Sequence, residues 1–341
     1  MSFLRKRPMM VASTAVIGML AMAGCSPATS STNGSTSDPS ASVIKLAGVM
    51  ANATDPYWIS VMCGADAAAK EAGAELTWYT NPTTSTDGTS QAFNSATLTD
   101  PDGLFLNPFQ GTQFATQVKQ LMEKGVPVVT STPLDPATQF TDVPNATDGS
   151  NFIGDFMKIL PEGSGSMVAL GGITGIPVLD ATWKPLEEAV AKQRPDIKIL
   201  PTEYTSFDVS KTTQIVNGLL LAHPDLSVIV ASSGPEGQGA AAAVQQAGKA
   251  GKVKIWAYDA IPAEVEAVKS GVITVLVAKP ALATGQKIVD LLVNEIKDNP
   301  DRKPVSQLSP ALDPMPMTLI TKDNIDSTES QAAMYKTTCS G

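Results

Sequence analysis

The chain holds one histidine, His223, followed directly by Pro224. A single imidazole cannot build a histidine-rich metal site, and its place at a predicted helix end suits capping better than the proton transfer of a Ser-His-Asp relay. Gly163-Ser164-Gly165-Ser166 and Gly171-Gly172 are rich in glycine. Neither forms a phosphate loop or a dinucleotide fingerprint, and both read as turns flanking a strand. What remains is a set of aromatic and carboxylate side chains, foremost Asp55-Pro56-Tyr57-Trp58. An aromatic face stacks on the apolar surface of a small molecule while its polar edge finds a partner, and an ionised carboxylate accepts hydrogen bonds. This is the chemistry of binding, so the chain is expected to be no enzyme and to use no metal or cofactor.

Such residues need strands to hold them. Short, wholly apolar runs at 43–50, 76–79, 103–106, 126–130, 167–170, 197–200, 228–230, 253–258 and 273–277 predict buried parallel strands. Helical stripes alternate with them: Phe114, Val118, Leu121 and Met122; Ile215, Val216, Leu219 and Leu220; Ile288, Leu291, Leu292 and Ile296. The expected fold class is α/β, with two lobes whose parallel sheets are flanked by helices. The alternation breaks at 133–149, at Ala278-Lys279-Pro280 and in the Pro-rich stretch 299–316, read as three crossings that form a hinge. The division is then a first lobe at 43–135 with about 279–299, a second at 136–278 with about 300–325, and a tail at 326–341.

Ahead of these lie Arg5-Lys6-Arg7, an apolar run at 9–22, and Ala23-Gly24-Cys25. The run is shorter than the ~20 residues of a bilayer span, so residues 1–24 read as a signal peptide. Met22-Ala23-Gly24-Cys25 resembles the lipobox of bacterial lipoproteins, which implies a lipid on Cys25. Residues 26–42 are Ser, Thr, Gly, Pro and Asp almost throughout and read, with Cys25, as a disordered tether. The formal charge is −9, and −12 once the three basic leader residues are removed, which disfavours nucleic acid as a partner. Cys63 and Cys339 are then the two cysteines left in an oxidising compartment, either bonded to each other or two free thiols.

The order of several short motifs carries a family resemblance. Asp55-Pro56-Tyr57-Trp58 looks like the Asn-Pro-Phe-Phe opening of the ribose-binding family of periplasmic solute-binding proteins. Leu106-Asn107-Pro108, Gly125-Val126-Pro127-Val128-Val129, His223-Pro224-Asp225-Leu226 and Trp256-Ala257-Tyr258-Asp259 follow in the family's order, over Val43 to about Ile320. The resemblance implies a type I binding-protein fold, two Rossmann-like lobes with parallel sheets flanked by helices and joined by a three-segment hinge, with ligand between the lobes at the carboxyl ends of the strands.

It also implies site residues. Trp58 and Tyr57 would stack on ligand, Asp259 would accept its hydroxyls, and Asn107 would either bind it or brace the loop before Pro108. Asp55 stands in place of the family's asparagine and favours a hydroxyl-rich or cationic ligand. Thr132 falls where ribose-type members have an arginine, Thr182 or Trp183 where a second arginine grips the ligand, Ser233 in place of an asparagine, and Ala278 or Lys279 in place of a late glutamine. Bidentate guanidinium contacts are therefore absent from the expected places. Trp183, if it enters the cleft, would form an aromatic clamp with Trp58 and Phe207 and favour a modified sugar, a linear polyol or a small glycoside.

The expectation is a monomeric lipoprotein on the outer face of the cell membrane, held by its lipid anchor alone. It would close on a sugar or polyol and deliver it to an ABC permease and its ATPase. A sensor that feeds a signalling receptor or kinase, or a receptor for a non-carbohydrate solute, is the alternative.

Overall fold

A computed structural model describes residues 43–80, 85–108, 113–131, 148–305 and 315–339. Cys25, the leader and tether, Thr132 and most of the first expected crossing lie outside the described residues.

The first sheet is built from β1 (Lys45–Met50), β2 (Glu75–Thr80), β3 (Gly103–Asn107) and β4 (Val128–Thr130), in the order β2-β1-β3-β4 and parallel throughout. Its helices are α1 (Pro56–Ala72), α2 (Thr86–Thr97) and α3 (Ala115–Glu123). In α3 the predicted stripe buries Val118 and Met122, with Phe114 as the residue preceding the helix. α1 ends at Gly73, whose φ of 67° is the left-handed conformation that glycine adopts without a Cβ penalty.

After a 3-10 turn (Gly149–Phe152) and α4 (Ile153–Ile159), the chain builds a second sheet. Its strands are β5 (Gly165–Gly171), β6 (Ile197–Ile199), β7 (Glu203–Tyr204), β8 (Leu226–Ala231), β9 (Lys254–Tyr258), β10 (Val275–Ala278) and β11 (Thr318–Ile320), joined by α5 (Pro177–Gln193), α6 (Val209–Ala222), α7 (Gly234–Gln246), α8 (Pro262–Lys269) and α9 (Ala281–Asp298). The order is β11-β10-β9-β8-β5-β6, with β7 also on β5; only β11 is antiparallel. A last helix, α10 (Thr328–Ala333), precedes the tail.

Both faces of this sheet are covered, which is why its strands read as apolar without alternation. Val228, Val230, Trp256, Tyr258, Val275 and Val277 face α4 and α5, where Phe156, Leu186 and Val190 meet them. Ile229, Ala231, Ile255, Ala257 and Leu276 face the other way, toward Val216, Ala240, Val244, Val265 and Val268. β7, β11 and α10 were not expected; two or three residues carry too little periodicity to announce a strand. Gly165, Ser166 and Gly171, expected in turns, belong to β5 itself, where a Cβ on Gly171 would crowd Tyr204 and Trp183. His223 ends α6 as its C-cap, its backbone N–H donating to the Leu219 carbonyl.

α9 returns to the first sheet, packing along α1 and onto β3 and β4. The approach of α1 and α9 is close enough that a Cβ on Gly64 would strike the Leu282 carbonyl, and one on Gly285 the Val61 carbonyl.

Candidate functional site

Every parallel strand delivers its carboxyl end to the same side of its sheet, and the polar groups gather there. From the first sheet, the loop after β1 brings Asp55 to the start of α1. Its Oδ1 accepts from the backbone N–H groups of Tyr57 (2.8 Å) and Trp58 (3.4 Å), and Pro56 takes the first helical position, where its missing N–H costs nothing. Tyr57 is buried and meets Trp58 edge-on, with ring centroids 4.8 Å apart. Asn107, the last residue of β3, donates to Met50 Sδ (3.2 Å) and accepts from Ser131 Oγ (2.6 Å), which braces the ends of three neighbouring strands.

From the second sheet comes Asp259, directly after β9, with a φ of 85° that a non-glycine residue holds only under constraint from its surroundings. The constraint is visible. Asp259 Oδ2 accepts from the backbone N–H of Gly234 (2.9 Å) at the start of α7, and Oδ1 meets Lys279 Nζ (2.8 Å) and the Tyr335 hydroxyl (3.3 Å). α7 has no side-chain cap of its own, so this carboxylate serves its positive end from another segment. Lys279 follows β10; its ammonium also lies 4.5 Å from the centroid of the Tyr57 ring, which belongs to the first sheet's side of the site. Burial pulls that ammonium down, but Asp259, Tyr57 and Asp55 more than offset it and hold Lys279 above its ordinary value.

Two further acids lie beneath. Glu236 accepts from the hydroxyls of Ser233 and Thr205, and burial holds its carboxyl above the usual range against those two bonds. Glu264 is fully buried and has no side-chain hydrogen-bond partner among the described residues; desolvation, aided by Asp259, raises it well above the usual range against the backbone N–H of Ile261. At the rim, burial and the charge of Asp259 bring Asp55 to about 6 despite Lys279 beside it. Tyr57 is pushed by burial up to about 12, its hydroxyl bonded to Thr284.

The residues singled out in the sequence divide accordingly. Asp55, Tyr57, Asp259 and Lys279 come together, Ser233 lies beside them through Glu236, and Asn107 stands at the end of its strand. Phe207 follows β7 with a φ of 58°, its ring lying against Gly172, where a Cβ would collide with it. Trp183 does not join a clamp with Trp58 and Phe207. It falls with Leu186 and Val190 on the i, i+3, i+7 stripe of α5 and is buried in the second-lobe core, while the Thr182 carbonyl accepts from the Tyr258 hydroxyl (3.0 Å).

Sequence reasoning missed Tyr335, Glu236 and Thr205. The last two are ordinary polar residues near strand ends, without a spacing that marks them. Tyr335 stands four residues before Cys339, which is bonded to Cys63 in α1 with Cα atoms 5.0 Å apart; that pairing was the available signal for where the tail runs. A cavity of about 320 Å³ opens beside Asp55 and Pro56, walled by Pro235, Gln238, Ile261 and Thr337.

Among the described residues no three His, Cys, Asp or Glu side chains are grouped to hold a metal ion. The arrangement offers an aromatic face, a carboxylate with lone pairs to spare and an ammonium, drawn from both sheets.

Comparison with known proteins points to one family. The periplasmic binding protein domain family matches residues 46–300. The ribose import binding protein of Salmonella typhimurium is 26% identical over 257 residues, covering 74% of this chain and 84% of its own. The D-allose-binding periplasmic protein of Escherichia coli is 24% identical over 73% of this chain and 83% of its own, and the xylitol-binding protein of Mycolicibacterium smegmatis 27% over 77% and 73%. Among solved structures, an ABC transporter solute-binding protein from Agrobacterium vitis bound with α-D-tagatopyranose superposes with a TM-score of 0.74 at 21% identity, over 86% of this chain and 99% of that one. A second, from Burkholderia graminis in complex with D-arabinose, gives 0.74 at 23% over 85% and 99%. With a match spanning most of the chain, and two helix-covered sheets carrying their polar residues at the strand ends, this protein belongs to the periplasmic binding protein domain family.

Proposed function

We propose that this protein is the solute-binding component of an ABC importer and binds a sugar or a sugar-like molecule such as a polyol between its two lobes, without transforming it. The observation that carries this reading is the convergence of Asp55 and Tyr57 from one lobe, Asp259 from the other and Lys279 at the crossing between them. A ligand that touches both sets favours the form in which they are close, and a membrane partner reads that form. The relatives named for ribose, allose and xylitol support a neutral polyhydroxylated ligand. The loss of the family's arginines argues against an aldopentose held in the ribose manner.

Asp55, Tyr57, Trp58, Asn107, Thr132, Phe207, Ser233, Asp259 and Lys279 are the residues assigned to the ligand. The lobes divide at the three crossings expected from the sequence, and the chain is exported, lipidated on Cys25 and tethered through residues 26–42 to the outer face of the membrane as a monomer. A thermal-shift screen of sugars, polyols, sugar acids and amino acids, followed by calorimetry, tests the assignment. A stabilising polyhydroxylated compound is expected; a hit confined to amino acids would overturn the carbohydrate assignment.

A further inference from the structure

The three crossings leave the last residues unexplained. After β11 in the second lobe and the short α10, the chain turns back: the Tyr335 N–H donates to the Ala260 carbonyl (3.0 Å) beside Asp259, and the next N–H, that of Lys336, donates to Ser60 Oγ (2.7 Å) in α1. Three residues on, Cys339 is bonded to Cys63, again in α1. The tail therefore forms a fourth connection between the lobes, and it is the one closed by a covalent bond between side chains.

Tyr335 is the residue this connection carries inward. It is buried, its ring lies 5.5 Å from that of Tyr57, and its hydroxyl accepts from the backbone N–H of Lys279 (3.0 Å) while donating to Asp259 Oδ1 (3.3 Å). One hydroxyl thus fixes both members of the Asp259–Lys279 pair, one through its carboxylate and the other through its backbone. Without it, Oδ1 would keep only Lys279, and the Lys279 N–H would be left buried and unsatisfied.

We propose that Tyr335, pinned by the Cys63–Cys339 disulfide, is a positioning residue of the ligand site that sets the orientation of Asp259 and Lys279 and so the protein's affinity and selectivity. The inference rests on the reading of the cleft as a ligand site. It differs from a stapling role, in which the tail would only add stability, and from an occluding role, in which Tyr335 would fill the space a ligand needs.

The test compares the wild-type full chain with Tyr335→Phe and with Cys63→Ser/Cys339→Ser. Two things are measured: calorimetric affinity for D-ribose, D-allose and xylitol, and hydrogen exchange at the Lys279 amide. Tyr335→Phe keeps the ring, so a stapling role leaves affinity unchanged, whereas the positioning role raises Kd about tenfold for the preferred probe and alters the ranking of the three. The Lys279 amide exchanges faster in both variants. Unchanged affinity with only a lower melting temperature, or tighter binding on loss of the hydroxyl, would overturn the proposal. So would a disulfide-free protein with wild-type affinity and exchange. If the wild type binds none of the three probes, the comparison is made with the compound the thermal-shift screen selects, and the same outcomes decide it; a screen with hits only among amino acids overturns the carbohydrate assignment and leaves the Tyr335 comparison to be run on that ligand.

Discussion

Lys279 Nζ lies 2.8 Å from Asp259 Oδ1, with both side chains about nine-tenths buried. A buried pair of this kind contributes little net stability, because desolvation offsets the attraction, yet breaking it strands a charge. Asp259→Ala is expected to lower the unfolding free energy by about 3–5 kcal/mol, and to weaken ligand binding by at least ~1–3 kcal/mol through lost hydroxyl contacts. Adding Lys279→Met to Asp259→Ala should recover much of the stability and none of the binding. Urea unfolding of the four proteins in a double-mutant cycle measures the first effect and calorimetry the second; equal losses in the single and double variants would show that the ion pair is not what holds the site.

How much of this was legible beforehand follows from where each signal lies. The strands of the second sheet are covered on both faces, so runs such as Val228–Val230 stand out as continuous apolar segments, and the motif at Asp259 marks the end of one. Trp183 misled because it was placed by motif position alone; its i, i+3, i+7 spacing with Leu186 and Val190 carries it into the core, where a large apolar ring gains more than at a wet rim. Tyr335 could not be read at all from local pattern. Its neighbours Asp259 and Lys279 are 76 and 56 residues away, and only the cysteine pairing linked the tail to α1.

Unusual pH dependence should follow from the carboxyl groups that burial raises. A proton on such a group is bound more tightly in the folded than in the unfolded chain, so its contribution is most favourable at low pH and is lost as pH climbs from the unfolded value toward the folded one. Asp55 covers the range from about 4 to about 6, Glu187, raised chiefly by desolvation, extends to about 7, and Glu264 lies well above its usual value. Each such group costs at most about 1.4 kcal/mol per pH unit inside its own window, and partly exposed Glu187 contributes less because water screens it. Denaturation midpoints are therefore expected to fall between pH 5 and pH 8, and Glu264→Gln should flatten that decline and raise the midpoint most at pH 8. An unchanged pH profile in Glu264→Gln would show that this carboxyl does not set it.

The disulfide joins residues 276 apart, so reducing it frees nearly the whole folded chain in the unfolded state. Chain-entropy arguments give about 5 kcal/mol for loops of this order, an upper figure because the denatured state is compact. Urea titrations with and without dithiothreitol should show a lower midpoint in the reduced protein. Amides of Tyr335 and Lys336, which bond to Ala260 and Ser60, should lose protection ahead of the sheet amides. Simultaneous loss throughout the chain would mean that the tail is not a separate unit.

The closeness of α1 and α9 rests on reciprocal glycines, since a Cβ on Gly285 would meet the Val61 carbonyl and one on Gly64 the Leu282 carbonyl. Backbone cannot yield as a flexible side chain can, so the helices must separate to admit even a methyl group. α1 begins at the residues that Asp55 caps, and α9 begins two residues after Lys279, so a displacement here moves both halves of the site. Gly285→Ala is expected to destabilise by about 1–3 kcal/mol, the usual cost of overpacking, although alanine is the better helix former. Ligand affinity should fall with it, while the same substitution at Gly218, where a Cβ meets nothing within 4 Å, should be neutral or slightly stabilising. Thermal unfolding and calorimetry on the pair decide the matter: equal behaviour of the two variants would refute the tight helix contact as the element that holds Asp55 and Lys279 in register.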